Sequence, residues 1–462
     1  MISETDDDTI ELPSRQTTEN QGLSIFCVTK TSLRRFNFRL YFALLLTDVL
    51  PTIYTTVRIH YLGELPNTWG VNIASQLQWV NVILEVVQEA LIKPLYYCIG
   101  LTIGNARETE SKVKSGLLVT FLIYLVCTSV IAGAASPLTG WMAQDEKLIS
   151  KTVDYVRLEL IGIVVSSLVE FFMVVFVLLN AQRHIYAILA IKMSLSIVLD
   201  SFFLSESIAV SLKLGVNGIA YSNIATATVS FIYATCVFCR MYGYCLVTPN
   251  FAWLRDWSFV GLFSGLDSLA RNAAYLLMII RMMNVVKKQG TYWLVNSFVW
   301  SWLLLPFLSL SKVLIQDTSN ENDIDDHRIK TLAYYVIVSC IAAVWCITIP
   351  GWKGFFDVVL NIQETAEVFR LATILAPFYM LYMLNTLMDS VFYGKGKTQM
   401  LAIQSIITNV VVYGIAFALF KAGVFEPSLT KIAILFGTGT AVDSFITFGL
   451  YYIFLRKVHF KL

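Results

Sequence analysis

Leu160-Ile161-Gly162-Ile163-Val164-Val165-Ser166-Ser167-Leu168-Val169-Glu170-Phe171-Phe172-Met173-Val174-Val175-Phe176-Val177-Leu178-Leu179 carries one charge in 20 residues. At a rise of about 1.5 Å per residue, about 20 apolar residues cross the roughly 30 Å hydrocarbon core of a bilayer as a helix. Working outward from this stretch, similar runs recur along the whole chain. They predict spans over 36–60, 72–100, 117–139, 153–179, 185–207, 216–240, 253–283, 290–314, 331–350, 367–392, 399–421 and 431–455. Bilayer-exposed backbone must satisfy its own hydrogen bonds, so these are read as helices. A dozen such segments leave no room for a soluble catalytic domain, and the chain is expected not to be an enzyme.

Composition agrees. The 462 residues are 56% hydrophobic and 14% charged, against about 25% charged in soluble domains. A net charge of +2 gives no basis for nucleic-acid binding. Cys236 and Cys239 form a C-x-x-C without further ligands nearby, so they are read as small packing residues and no metal cofactor is expected. Gly394-Lys395-Gly396-Lys397-Thr398 ends like a phosphate loop, but Val391 stands where the first glycine is needed and no strand precedes it.

Residues 1–35 are polar, begin with Asp6-Asp7-Asp8 and lack the apolar core of a signal peptide. They read as a disordered cytoplasmic tail. An N-terminal six-helix lobe follows at 36–240, then a cytoplasmic connection at 241–252, a C-terminal six-helix lobe at 253–455 and a short tail at 456–462. With both termini inside, cytoplasmic segments carry about eighteen basic residues against about nine outside. The expectation is a monomer in a plasma or inner membrane, in contact with lipid and a small-molecule substrate.

The two halves are related. Leu179-Asn180-Ala181-Gln182-Arg183-His184 ends the fourth span and leads into Leu189-Ala190-Ile191. Phe392-Tyr393-Gly394-Lys395-Gly396-Lys397 ends the tenth and leads into Leu401-Ala402-Ile403. An even number of spans per half gives parallel repeats, with substrate sites between the halves near mid-membrane.

These residues resemble the multidrug and toxic compound extrusion (MATE) transporters of the multidrug/oligosaccharidyl-lipid/polysaccharide exporter (MOP) superfamily. Tyr61-Leu62-Gly63 is similar to the end of their first span. Gly100 and Gly104 before an Arg/Glu/Lys loop are similar to the end of the second. Ser194-Leu195-Ser196-Ile197-Val198-Leu199-Asp200 resembles the Asn-x-x-x-Asp element of the fifth, and Leu214-Gly215-Val216-Asn217-Gly218-Ile219-Ala220 the opening of the sixth. Tyr393 to Thr398 resembles the loop after the tenth. The resemblance implies a V-shaped fold of twelve helices and export of organic, often cationic, solutes by alternating access in exchange for Na⁺ or H⁺. Departures fall at the positions that it implies hold the ion. Thr55 stands for the first-span aspartate, Ser196 for the fifth-span asparagine, Asn223 for a sixth-span threonine and Arg271 for the seventh-span glutamate.

Charges at bilayer depth are costly and become functional candidates. Asp200, with Ser196 one turn earlier, Asp48 and Thr55 on one face of the first span, and Asn223 form a candidate oxygen-rich pocket for Na⁺ or a proton. The alternative is that Asp200 caps a helix or pairs near an interface, and that Asp48 pairs with a neighbouring helix. Glu85, Glu89 and Lys93 are successive i, i+4 neighbours, either a self-neutralising stripe or part of the substrate cleft. Asp267 and Arg271 are again i, i+4; the pair is read as structural, with substrate recognition by Arg271 as the alternative. Glu170, Asp389 and Asp443 lie inside the fourth, tenth and twelfth spans and are second-rank candidates. The leading reading is secondary active export. A flippase for a lipid-linked or amphipathic molecule and an uncoupled channel are the alternatives.

Overall fold

The computed structural model describes residues 25–459, apart from 66–68, 103, 243–247, 320–323 and 396. The helices are α1 (Ile25–Arg35), α2 (Phe38–Glu64), α3 (Trp69–Ser75), α4 (Leu77–Leu91), α5 (Leu95–Gly100), α6 (Ala106–Gly133), α7 (Ala135–Trp141), α8 (Ile149–Leu178), α9 (Gln182–Phe203) and α10 (Asn217–Met241) in the first half. The second half contains α11 (Leu254–Tyr275), α12 (Arg281–Val285), α13 (Gln289–Phe298), α14 (Leu305–Ser319), α15 (Ile324–Gly354), α16 (Thr365–Gly394), α17 (Thr398–Thr408), α18 (Ile415–Lys421) and α19 (Leu429–His459).

These helices make twelve passes. Among the described residues, nine helices are long and apolar enough to cross a membrane alone, and the bent pair around α13 and α14 makes a tenth. The other two passes are interrupted helices, over 69–100 and 254–285. The chain is therefore an all-α polytopic membrane protein. Polar caps set some of the starts: Asn37 accepts from the Leu40 amide at 3.0 Å to begin α2, and Asn105 does the same for α6 through Glu108.

The second pass of each half is broken. Residues 69–100 divide into α3, α4 and α5, with Pro94 at the second break, and α13 meets α14 at 55° just before Pro306. Proline cannot donate the helical hydrogen bond and crowds the preceding turn. Pro51 and Pro377, by contrast, lie inside continuous helices. Breaks at matching places in the two halves fit the internal repeat.

Residues 25–35, expected as disordered tail, instead form α1. It docks on α15, where Ser32 Oγ accepts from the Ala333 amide at 2.7 Å and Phe36 meets Tyr334 edge to face. Phe36 and Leu33 pack into the core of the second half, which supplies the apolar contact that a solvated tail lacks. Residues 1–24 and 460–462, and 243–247 of the expected connection, lie outside the described residues.

The lobes meet where α4 packs against α11, α2 against α14 and α3 against α13. At the first of these, the opening turns of α11 belong to the packing of the first half: Trp257 Nε1 donates to the Leu91 carbonyl at 2.9 Å and Trp253 Nε1 to Ser115 Oγ at 2.9 Å. A Cβ on Gly261 would lie 2.1 Å from the Ala90 carbonyl oxygen, so only glycine permits this approach.

Candidate functional site: charged clusters and a cavity in the bundle

The seam closes at the end that the Lys and Arg distribution assigns to the outside. Gln76 and Asn284 exchange carboxamide hydrogen bonds across the lobes, at 2.6 and 3.1 Å, and both are buried. Gln78 donates to Tyr275 Oη at 2.8 Å and accepts from Gln289 at 2.8 Å. Lys287 reaches Asp145 at 2.9 Å, which holds the Asp145 carboxyl below the usual carboxylate range together with the Lys147 amide. Lys288 contacts Glu364 and Glu367. Burial works against its ammonium, but these carboxylates outweigh burial and raise its pKa. A Cβ on Gly63 would meet the Asn361 carbonyl oxygen at 2.0 Å, so the end of α2 fits only as glycine. Gly63, Lys287, Lys288 and Glu364 also line a cavity of about 90 Å³ that reaches Asn72 and Thr291.

In the first half, Asp200 is fully buried and held by Arg58, with Nε to Oδ2 at 2.8 Å and Nη2 to Oδ1 at 3.2 Å. Glu159 of α8 lies close enough to interact with both. Its two oxygens each accept from Asn223 Nδ2 at 3.0 Å. A tethered guanidinium therefore stands against the carboxylate expected to meet a mobile cation. Arg58, Tyr155 and Asn223 also line a cavity of about 280 Å³ that Trp293 and Asn296 of the second half close.

The expected oxygen-rich pocket is thus divided. Asp200, Ser196 and Asn223 remain in the buried region around Arg58 and Glu159, though Asn223 bonds to Glu159. Asp48 turns to the lobe seam, where it accepts from Lys312 Nζ at 2.7 and 2.8 Å and from Ser309 Oγ at 2.8 Å. Thr55 donates to the Pro51 carbonyl of its own helix at 2.8 Å. Glu170 accepts from Gln88 at 2.7 Å, and Glu85 is half-buried on α4.

Glu89, Arg271 and Asp389 come together around one cavity of about 910 Å³, with Lys93 and Asp443. Glu89 and Lys93 are ion-paired. Arg271 is exposed to the cavity; the side chain of Asp267, its expected partner, lies outside the described residues. Gln404 Nε2 donates to both oxygens of Asp389, at 3.1 and 3.2 Å, and is itself fixed by Thr447 at 2.6 Å. Asp443 accepts from Asn385 at 2.8 Å and from Thr408 at 2.9 Å. Among the described residues, every hydrogen-bond donor to these two carboxylates is neutral. Asn385 is buried, and its Oδ1 has no hydrogen-bond partner among the described residues. An unfilled acceptor beside two carboxylates is a ready ligand for a cation or an N–H donor.

Arg58, Glu159 and Lys312 were missed by the sequence reading. Glu159 could have been found, because it lies inside a predicted span by the same rule that flagged Glu170. Arg58 and Lys312 lie two residues from predicted span ends, where basic side chains ordinarily reach the interface.

Twelve helical passes in two halves, side-chain contacts that join the halves at one end and polar cavities between helices define a class of integral membrane protein. The solved structures to which this chain is similar show which fold it is. An inward-facing multidrug resistance MATE family transporter of the MOP superfamily superposes with a TM-score of 0.74 at 16% identity, over 91% of this chain and 98% of that one. An outward-facing MATE family transporter gives 0.59 at 16%, over 93% and 97%. A MOP superfamily transporter from Pyrococcus furiosus, described as having a binding pocket of reverse polarity, gives 0.61 at 15%, over 93% and 96%. No protein-family model and no curated protein matches the sequence. The chain has the MATE fold, two six-helix lobes, as the sequence resemblance implied.

Proposed function

We propose that the protein is a secondary transporter that exports small organic solutes by alternating access, coupled to antiport of Na⁺ or H⁺. The observation that carries this is the cavity of about 910 Å³ lined by Asp389 and Asp443 in a bundle whose lobes are joined by the Gln76–Asn284 contact. The better superposition on an inward-facing than on an outward-facing MATE structure supports a cytoplasmic opening in this state. The coupling ion acts at the Asp389–Asp443 pair rather than at Asp200, because Asp200 already has a cation in Arg58. An ion and the solute's cationic group that compete for one carboxylate pair cannot both stay, and this exclusion is the exchange. In this reading the protein is a monomer with both termini cytoplasmic, it catalyses no chemical reaction, and its only cofactor is the coupling ion.

Uptake into proteoliposomes with an imposed Na⁺ gradient, a pH gradient or none tests this reading. Accumulation of a soluble dye under one gradient is the expected result. Movement of labelled lipid conjugates alone would make the protein a flippase, and downhill leakage alone a channel.

A further inference from the structure

We propose that α1 and the first turns of α2 form a binding surface for anionic membrane lipids. Helix α1 has two faces. Thr29, Ser32, Leu33 and Phe36 recur at helical spacing and are buried or half-buried. The last three dock on the second half, through the Ser32–Ala333 and Phe36–Tyr334 contacts and the packing of Leu33. Lys30, Arg34 and Arg35 stand on the other face and are exposed. Asn37, at φ −81° and ψ 75°, breaks the helix before α2, and Arg39 is exposed just beyond it. Lys30, Arg34 and Arg39 make no ion pair with any described residue, and these three carry the surface. No acidic residue stands between Glu19 and Asp48, so the charge is not neutralised along the chain.

The partner is a lipid rather than a soluble anion because the basic face runs into an apolar one. Phe38, Phe42 and Leu46 are four residues apart on one stripe of α2 and are 44, 58 and 65% exposed. On a membrane-spanning helix such a stripe meets acyl chains. Arg39 lies beside Phe38 at the start of the stripe, where a basic side chain reaches the headgroups. A lipid bound here places its phosphate against Arg39, Arg34 and Lys30 and its chains along Phe42 and Leu46. The guanidinium fork matches phosphate geometry. A bias of basic residues towards one side of the membrane does not by itself explain the arrangement. Orientation requires only that Lys and Arg lie near the span, and a solvated tail would supply them. Here docking fixes them on one ordered face. The apolar face that α1 would need to enter the bilayer is occupied by α15, so the attraction is electrostatic and falls with salt. With the N-terminus inside, the surface meets the cytoplasmic leaflet, whose lipids include anionic ones.

The test titrates the full-length protein in detergent with phosphatidylglycerol or with phosphatidylcholine of the same chains. Hydrogen exchange of the α1 amides reads binding at this face. Phosphatidylglycerol is expected to slow exchange at concentrations where phosphatidylcholine does not, and high salt should abolish the difference. Each of Lys30→Gln, Arg34→Gln and Arg39→Gln should raise the midpoint about fivefold, and the three together about a hundredfold. This follows from about 1 kcal/mol per basic residue near an anionic surface. Lys30→Arg should leave the midpoint unchanged. Glycerol phosphate, which has the phosphate without the chains, should not slow exchange at the same concentration. Equal effects of the two lipids overturn the proposal, as does a triple variant that keeps the preference. Protection by glycerol phosphate as strong as by the lipid also overturns it and makes the face a site for soluble phosphates. The salt series on the unchanged protein decides the matter even if the triple variant does not fold. None of these readouts involves transport, so their failure leaves the transport reading untouched.

Discussion

The two lobes share a plan and treat their buried charges in opposite ways. In the N-terminal lobe, Asp200 is closed by a guanidinium and Glu159 by a carboxamide. In the C-terminal lobe, Asp389 and Asp443 accept from neutral donors among the described residues and line a large cavity. The backbone follows the same division. Among the described residues, all four π-helical stretches, Leu276–Ile280, Val299–Leu303, Phe355–Val359 and Asn409–Gly414, belong to the second half. A π-helical turn widens the helix and frees backbone groups, and such turns collect at functional sites. The last of the four begins at Asn409, which lines the cavity beside Thr408. Duplication supplied two equivalent bundles. In one, the fully buried aspartate is paired with a guanidinium of its own lobe; in the other, the two cavity carboxylates have neutral donors among the described residues.

The comparison breaks most visibly at Arg58. Replacing it with Leu leaves Asp200 buried and unpaired, and removing one partner of a buried pair costs about 3–5 kcal/mol. Thermal unfolding in detergent should show this loss, and Asp200→Asn added to Arg58→Leu should recover much of it. Equal losses in the single and double variants would mean that the two side chains do not depend on each other. The matching change in the other lobe, Asp389→Asn with Asp443→Asn, should leave unfolding unchanged or improved, because their partners are neutral. It should lower gradient-driven accumulation ten- to a hundredfold, the span of an ordinary coupling free energy of about 1–3 kcal/mol. Coupling that survives there and vanishes in a folded Asp200 variant would reverse the roles assigned to the lobes.

A smaller effect is expected where the lobes meet. Gln76→Ala strands the Asn284 carboxamide in a buried site, at a cost of about 1–3 kcal/mol. The cost falls on the closed state alone, so the outer end should open more often. Cysteine placed at Asn72, in the small cavity that the closure residues line, should then react faster with an impermeant thiol reagent from outside. Unchanged labelling would show that the carboxamide pair is not part of the closure.

How legible the molecule was in its sequence divides along the same line. Apolar length alone located all twelve passes, because the bilayer forces each to satisfy its backbone internally. Even the interrupted passes over 69–100 and 254–285 match the predicted spans over 72–100 and 253–283 to within three residues. The breaks were marked in part by Pro94 and Pro306, but the π-helical turns have no equivalent residue signature. Glu89, Arg271 and Asp389 were each visible as charges at membrane depth, yet no spacing rule brings residues of α4, α11 and α16 to one cavity. Arg58 was hidden for a different reason. Its partner is 142 positions away, and a basic residue near the end of a span is ordinarily an interfacial anchor. Helix α1 was lost because Lys30, Arg34 and Arg35 make its exposed face read as a tail, whereas Ser32 and Leu33 decide its docking.

The smallest expected effect is one of pH, at the edge of the lobe seam. Lys287 and the Lys147 amide hold the Asp145 carboxyl below its ordinary range, so the closed outer end favours its ionised form. A group whose pKa is lowered in one state stabilises that state above its ordinary value and loses the effect as pH falls through the lowered one. Acidification through the lower carboxylate range should therefore loosen the Asp145–Lys287 contact and speed labelling of the cysteine at Asn72 slightly. The pair is exposed to water, so salt should weaken the effect. Lys288 shifts the other way, and its contribution persists until pH passes its raised value. Its partners Glu364 and Glu367 belong to its own lobe, so alkaline pH should disturb that local cluster without opening the seam. Asp145→Asn should make labelling independent of pH on the acid side. If the acid response stays intact in that variant, the sensitive group lies elsewhere, and the Asp389–Asp443 pair becomes the first place to look.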